Sequence, residues 1–188
     1  MYNFLKFRLK LNKRKVEISM KKFLALLLVV CMMLPMVAMA EEAAIKLGQV
    51  QWAAHGTKCF AVCTVALQGD VIVAAHIDEY QIGAGNVGVP NSDSDFGKSF
   101  PEGQVLYSKR VNNETYSNNM ATKAGSTVAL NVNYDLIQAY CVGKTVAELE
   151  AALAPMTAQD AIDAVSGATL VDTLGYLNGL LAAAQAAQ

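Results

Sequence analysis

The residues best suited to chemistry are gathered in Asp163-Ala-Val-Ser166-Gly167-Ala168-Thr169, which runs directly into the apolar stretch beginning at Leu170. A threonine hydroxyl is a poor nucleophile until a base or a metal-polarised phosphoanhydride assists it. Thr169 therefore suits the role of a substrate for a second enzyme, and no residue of this chain is assigned as catalytic. Gly167 and Ala168 leave the approach to the hydroxyl uncrowded, and glycine takes backbone angles barred to other residues. A phosphoester formed at Thr169 is expected to lie at the start of the following helix, where free backbone N–H groups and the positive dipole end favour an anion. A competing reading makes Thr169 a plain N-cap, with Asp172 closing a capping box. Thr145-Val-Ala-Glu148 and Thr157-Ala-Gln-Asp160 show the same spacing.

The order acid, two variable residues, Ser, Gly, Ala, Thr resembles the FMN-binding domain family, and Asp163, Ser166, Gly167, Ala168 and Thr169 match it position by position. That family includes the flavin-bearing subunits of the Rnf and sodium-pumping NADH:quinone reductase complexes and many secreted single-domain relatives. In it a flavin transferase esterifies FMN phosphate onto the threonine. The match departs at Val171, where many relatives carry Ser or Thr. The resemblance implies FMN as the cofactor, Thr169 as its attachment point and a flavin transferase as the modifying partner. It further implies electron carriage outside the cytoplasmic membrane, with a membrane electron-transfer partner whose identity the sequence does not give. Two other functions stay open: a module holding FMN or another small ligand non-covalently, and a flavin-dependent reductase of a small extracellular acceptor.

Residues 1–19 are basic and uneven, and read as an extension upstream of the true start. From Met20 the chain has the form of an export signal: Lys21 and Lys22, an apolar core from Phe23 to Leu34, Pro35, and Ala38-Met39-Ala40 before Glu41. The expected organisation is thus 1–19 extension, 20–40 signal peptide and 41–188 FMN-binding domain, exported to the cell surface, periplasm or medium. Eight of the fifteen Lys and Arg but only Glu17 of the sixteen acids lie in residues 1–40. The chain from Glu41 onward carries seven basic and fifteen acidic residues, a formal charge of −8. Such a surface repels phosphate backbones and anionic lipid, so nucleic-acid binding and direct lipid binding are not expected. The 148 residues after position 40 suit one domain.

Three cysteines follow the signal: Cys59, Cys63 and Cys141. An odd count argues against a full disulfide framework. On one strand Cys59 and Cys63 stand about 13 Å apart, too far to bridge. Among Phe60, Val62 and Val65 they read as core, and without a Cys-x-x-Cys or a His pair no metal site is assigned.

The elements that must position the motif read as an α+β fold, an antiparallel sheet packed with helices. Strands are expected over Ile45–Ala54, Lys58–Leu67 and Val71–Tyr80, the last two joined by a Gln68-Gly69-Asp70 turn. Residues 81–103 read as a loop. Asn91-Ser-Asp93-Ser-Asp95 with Glu102 resembles a calcium loop, but Phe96 stands where glycine is needed, which favours a solvated acidic loop. Further expectations are a strand at Val105–Val111, a helix at Glu114–Lys123 ended by Gly125, a strand at Thr127–Val132 and a helix at Asp135–Val142. Helices over Thr145–Ala154, Thr157–Val165 and Leu170–Ala187 complete the chain, the last with Leu174, Leu177, Leu180 and Leu181 on a core-facing stripe beside Tyr176. His55 and His76, the only histidines, are candidates to move protons near a flavin. Tyr80, Tyr107, Tyr116 and Phe96 are candidates to stack on its ring, and the sequence does not choose among them.

Overall fold

Among the described residues four strands and five helices carry the fold: β1 (Ile45–Trp52), β2 (Cys59–Gln68), β3 (Val71–Gly83), β4 (Val105–Ser108), α1 (Asn113–Ala124), α2 (Leu130–Cys141), α3 (Val146–Leu153), α4 (Ala158–Ala164) and α5 (Thr173–Gln185). The computed structural model describes residues 43–56, 58–91 and 98–187. Residues 1–19 and 20–40, expected as an extension and an export signal, and residues 92–97 of the acidic loop, Phe96 among them, lie outside the described residues.

The strands form one antiparallel sheet in the order β1-β2-β3-β4, and the fold is α+β as expected. Gly69 occupies the first turn position between β2 and β3 with φ +62°, the place a two-residue hairpin of type II′ reserves for glycine. Strict alternation in β2 sends Ala61, Cys63, Val65 and Leu67 to the helical face. In β3 the register slips opposite Ala66 and Leu67, leaving Val73 as the extra residue. This bulge switches the inward face from Ile72 to Ile77 and Glu79, both buried.

The helices cover that one face. Helix α5 lies across β1 and β2, and α2 lies against β3. Close approach at α5 depends on small residues. A Cβ at Gly48 would stand 1.9 Å from the Ala183 carbonyl oxygen, and one at Gly179 would stand 2.8 Å from Cys63 Sγ and 3.0 Å from the Trp52 ring. Tyr176, Leu177, Leu180, Ala183 and Ala184 are buried at this contact, as the stripe reading requires. Cys63 and Cys141 are fully buried core residues, and all three described cysteines are free thiols.

Helix ends follow the side chains that satisfy their free backbone groups. Thr145 with Glu148 and Thr157 with Asp160 form reciprocal capping boxes at the starts of α3 and α4. Gly125, in the left-handed conformation at φ 65°, closes α1.

Two expectations are corrected. Residues 127–132 are not a strand: α2 begins at Leu130, so that Leu130, Tyr134, Ile137 and Cys141 form one buried stripe. Val132, whose β-branching suggested a strand, is on the solvent side of that helix at 44% exposure. The last helix begins at Thr173, not at Leu170, because Thr173 turns inward and bonds the Leu170 carbonyl through both its amide (3.1 Å) and its hydroxyl (2.6 Å). Among the described residues no helix is long and apolar enough to cross a membrane.

Candidate functional site

Between α4 and α5 the chain makes a short exposed bend that carries the Ser-Gly-Ala-Thr run. Val165 ends α4, Gly167 takes φ +87°, and the Ala168 amide bonds back to the Val165 carbonyl at 2.9 Å. Ala168 is buried and anchors the bend to the core, while Ser166, Gly167 and Thr169 are exposed. The Thr169 amide donates to Asn133 Oδ1 at 2.7 Å, and its hydroxyl lies 3.4 Å from the same oxygen. Asn133 is itself fully buried on α2 and donates to the carbonyls of Val128 (3.2 Å) and Ala129 (3.1 Å). A saturated amide therefore fixes the backbone at Thr169 from a neighbouring helix.

This placement corrects two ideas about Thr169. It stands three residues before Asp172, the N-cap position of α5, and so is not at the start of that helix. Nor is it an N-cap: its hydroxyl is directed at Asn133, and Asp172 makes no side-chain cap bond. Asp163, also exposed, sits on the last turn of α4 with Gln159 Nε2 at 2.9 Å. The structure thus brings Ser166 through Thr169 together as one loop. It leaves Asp163 on the helix before it. No carboxylate or imidazole among the described residues is hydrogen-bonded to the Thr169 hydroxyl, so the bend supplies no base of its own.

A second polar centre lies within the helix-facing side of the sheet, where Glu79 pairs with Ala61 on β2 and Lys109 follows β4 on the other side. Glu79 and Lys109 are both 0% exposed and form an ion pair at 2.5 Å through Oε2. The same oxygen accepts from Tyr176 (2.9 Å) and Tyr134 (3.2 Å). The two tyrosine rings pack edge to face, 5.1 Å apart. Glu79 Oε1 faces His55 Nδ1 at 3.2 Å, a charge contact without hydrogen-bond geometry, and the Tyr176 hydroxyl is the group that meets Nδ1 in a hydrogen bond, also at 3.2 Å. Cys59 Sγ lies 3.8 Å from His55 Nδ1.

Burial by itself would raise the Glu79 carboxyl, but the His55 ring and the Lys109 ammonium outweigh it and hold its pKa at about 2. Burial disfavours the Lys109 ammonium, and the Glu79 charge more than restores it, so its pKa is raised. Burial first, and Glu79 second, push the Cys59 thiol up to about 11. Burial also drives both tyrosine hydroxyls above their ordinary range, so they act as neutral donors.

The histidines separate. His55 belongs to this centre, whereas His76 is exposed on the face of β3 away from the helices. The aromatic candidates separate too. Tyr80 stacks on Phe60, 5.8 Å between centroids, on the same open face. Tyr107 and Tyr116 line a cleft of about 330 Å³ with Gln81, Asn86 and residues of α1. Lys109 Nζ stands 4.6 Å from the Tyr116 ring, so the cleft borders the buried ion pair. Sequence alone does not single out Glu79, Lys109, Asn133 and Tyr134. The available signal was an acid pair, Asp78-Glu79, inside an otherwise apolar strand.

Comparison with protein-family models, with curated proteins and with solved structures finds no match to this chain.

Proposed function

We propose that the chain is an exported electron carrier whose FMN is joined through a phosphoester to Thr169. The observation that carries this reading is the presentation of the Thr169 hydroxyl: exposed, on a backbone pinned by Asn133, beside a glycine at φ +87° and without a base of its own. A modifying enzyme needs a hydroxyl it can enclose, and the uncrowded Ser166-Gly167-Ala168 approach offers one. In the transfer, Thr169 Oγ bonds to the flavin-bearing phosphorus of a phosphoanhydride donor. The hydroxyl proton passes to a base of the transferase, and the donor's nucleoside monophosphate leaves. The chain then holds the flavin and sets its exposure and partner contact. It needs no substrate pocket of its own for that task.

A second reading is favoured by the cleft between Tyr107 and Tyr116, whose volume of about 330 Å³ lies at the lower end of small-ligand sites. There the protein holds FMN or a similar planar ligand without a covalent bond. Intact mass and in-gel fluorescence of the denatured protein, produced with and without a flavin transferase, separate the two readings. The carrier reading expects a gain of one FMN that requires the transferase and vanishes in Thr169→Ala. Absence of an adduct with active transferase overturns it, and flavin released on denaturation then favours the cleft.

A further inference from the structure

The two oxygens of Glu79 live in opposite surroundings. Oε2 takes three donors, from Lys109, Tyr176 and Tyr134, and is saturated. Oε1 takes none, although the side chain is 0% exposed. A buried carboxylate oxygen without a partner is costly and calls for a ligand. What faces it is a set of metal-binding atoms: His55 Nδ1, Cys59 Sγ and Glu79 Oε1 all lie within 4.8 Å of one another.

We propose that His55, Cys59 and Glu79 bind one divalent transition-metal ion of the zinc class. Around a tetrahedral zinc, bond lengths of about 2.0–2.3 Å place neighbouring N and O ligands roughly 3.3 Å apart and N and S ligands roughly 3.6 Å apart. The corresponding separations are 3.2 Å from His55 Nδ1 to Glu79 Oε1 and 3.8 Å from His55 Nδ1 to Cys59 Sγ. Closing the shell requires Cys59 Sγ, which stands 3.8 Å from both ring nitrogens and within 4.8 Å of Glu79 Oε1, to turn toward Nδ1, and requires Nδ1 to leave the Tyr176 hydroxyl at 3.2 Å. Soft sulfur, imidazole and one carboxylate oxygen suit zinc or cobalt, and do not suit magnesium or calcium, which take oxygen. Charge also fits. Lys109 compensates the Glu79 carboxylate, and the Cys59 thiol gives its proton to solvent as its sulfur coordinates, so the ion meets one thiolate beyond the existing pair. Lys109, Tyr176 and Tyr134 on Oε2 act as the outer partners that orient the ligating carboxylate.

Solvent reaches the cluster, since His55 is 30% exposed and Cys59 is only partly covered. Water or an outside donor atom completes the shell there. The ion ties the segment between β1 and β2 to the middle of β3. The site stands independently of flavin attachment, since it shares no residue with the Ser166–Thr169 bend.

The test is a titration of the purified, metal-stripped protein with Co²⁺, followed by competition with Zn²⁺. One equivalent is expected to produce a thiolate-to-cobalt charge-transfer band in the near ultraviolet with tetrahedral d–d bands, and Zn²⁺ is expected to erase both. Cys59→Ser should remove the charge-transfer band and weaken Zn²⁺ binding by more than about 100-fold, beyond the loss typical of an outer partner. His55→Ala should weaken binding similarly, while Cys63→Ser should leave the band in place. Iodoacetamide labelling of the unmutated protein gives a reading that no folding defect can obscure. In protein beginning at Glu41, which lacks Cys31, Cys63 and Cys141 are 0% exposed, so Cys59 is the thiol expected to react, and Zn²⁺ should protect it. A cobalt spectrum without the sulfur band, a band that persists in Cys59→Ser, or labelling unaffected by Zn²⁺ overturns the proposal.

Discussion

At the scale of single residues, the Glu79–Lys109 pair dominates the energetics of the sheet interior because neither partner reaches water. Removing one partner of such a pair strands the other charge, which typically costs about 3–5 kcal/mol, whereas replacing both can be nearly neutral. Lys109→Met should therefore destabilise the protein by about that amount in urea unfolding. The double variant Glu79→Gln with Lys109→Met should recover at least about 2 kcal/mol of the loss, since the glutamine amide still accepts from Tyr134 and Tyr176. Additive effects of the two substitutions would show that the charges are not coupled. Legibility at this scale depends on reach along the chain. The Ser166–Thr169 run could be read locally, and Cys63 could be read as core from its strand neighbours. Glu79 could not, because the bulge at Val73 reverses the alternation that would have shown which way it points. Asn133 could not either, since its partner Thr169 lies 36 residues further on.

At the scale of elements, α5 is held by shape more than by intrinsic helix preference. Gly48→Ala places a methyl group against backbone, the Ala183 carbonyl at 1.9 Å, which no side-chain rotation relieves. The expected cost is about 3 kcal/mol, through displacement of α5 from β1. Thr157→Ala removes only the capping box of α4 and should cost about 1 kcal/mol. Thermal unfolding of the two variants orders them, and a Gly48→Ala protein as stable as Thr157→Ala would mean that α5 is free to shift. The first three strands, the Gly69 turn and both capping boxes were visible in sequence because each is specified by neighbours a few residues apart, whereas the strand expected over Val105–Val111 ends at Ser108. The start of α2 was not: Thr127, Val128 and Val132 have strand preferences, and only burial of Leu130, Tyr134, Ile137 and Cys141 against β3 and α5 makes the segment helical. The start of α5 was displaced for a related reason, since the bond from Thr173 to the Leu170 carbonyl cannot be seen in apolar spacing.

For the whole molecule, stability should form a plateau bounded by groups on opposite sides of neutrality. Glu79 has a folded pKa of about 2 against an ordinary value of 4.5. Between those values the unfolded chain binds the proton and the folded one does not. Its contribution is therefore complete above pH 4.5 and is lost as pH falls toward 2. The size is on the order of 3 kcal/mol for a shift of that extent. The thiols act in the other direction. Burial raises Cys63 and Cys141 to about 12 from an ordinary 9.0, so the unfolded chain ionises first and stability declines as pH rises above 9. The acidic surface works against the low-pH loss, because protonating exposed carboxylates relieves self-repulsion in a chain of −8 formal charge after residue 40. Comparing one variant with its parent isolates the buried term, since both carry the same surface. Urea midpoints from pH 2 to pH 6 should fall more steeply on acidification in the unmutated protein than in Glu79→Gln with Lys109→Met, which has no carboxylate to titrate there. Equal slopes would assign acid sensitivity to the surface and remove Glu79 from the account. A flattened slope in the double variant would place the acid limit of the entire fold on one carboxylate.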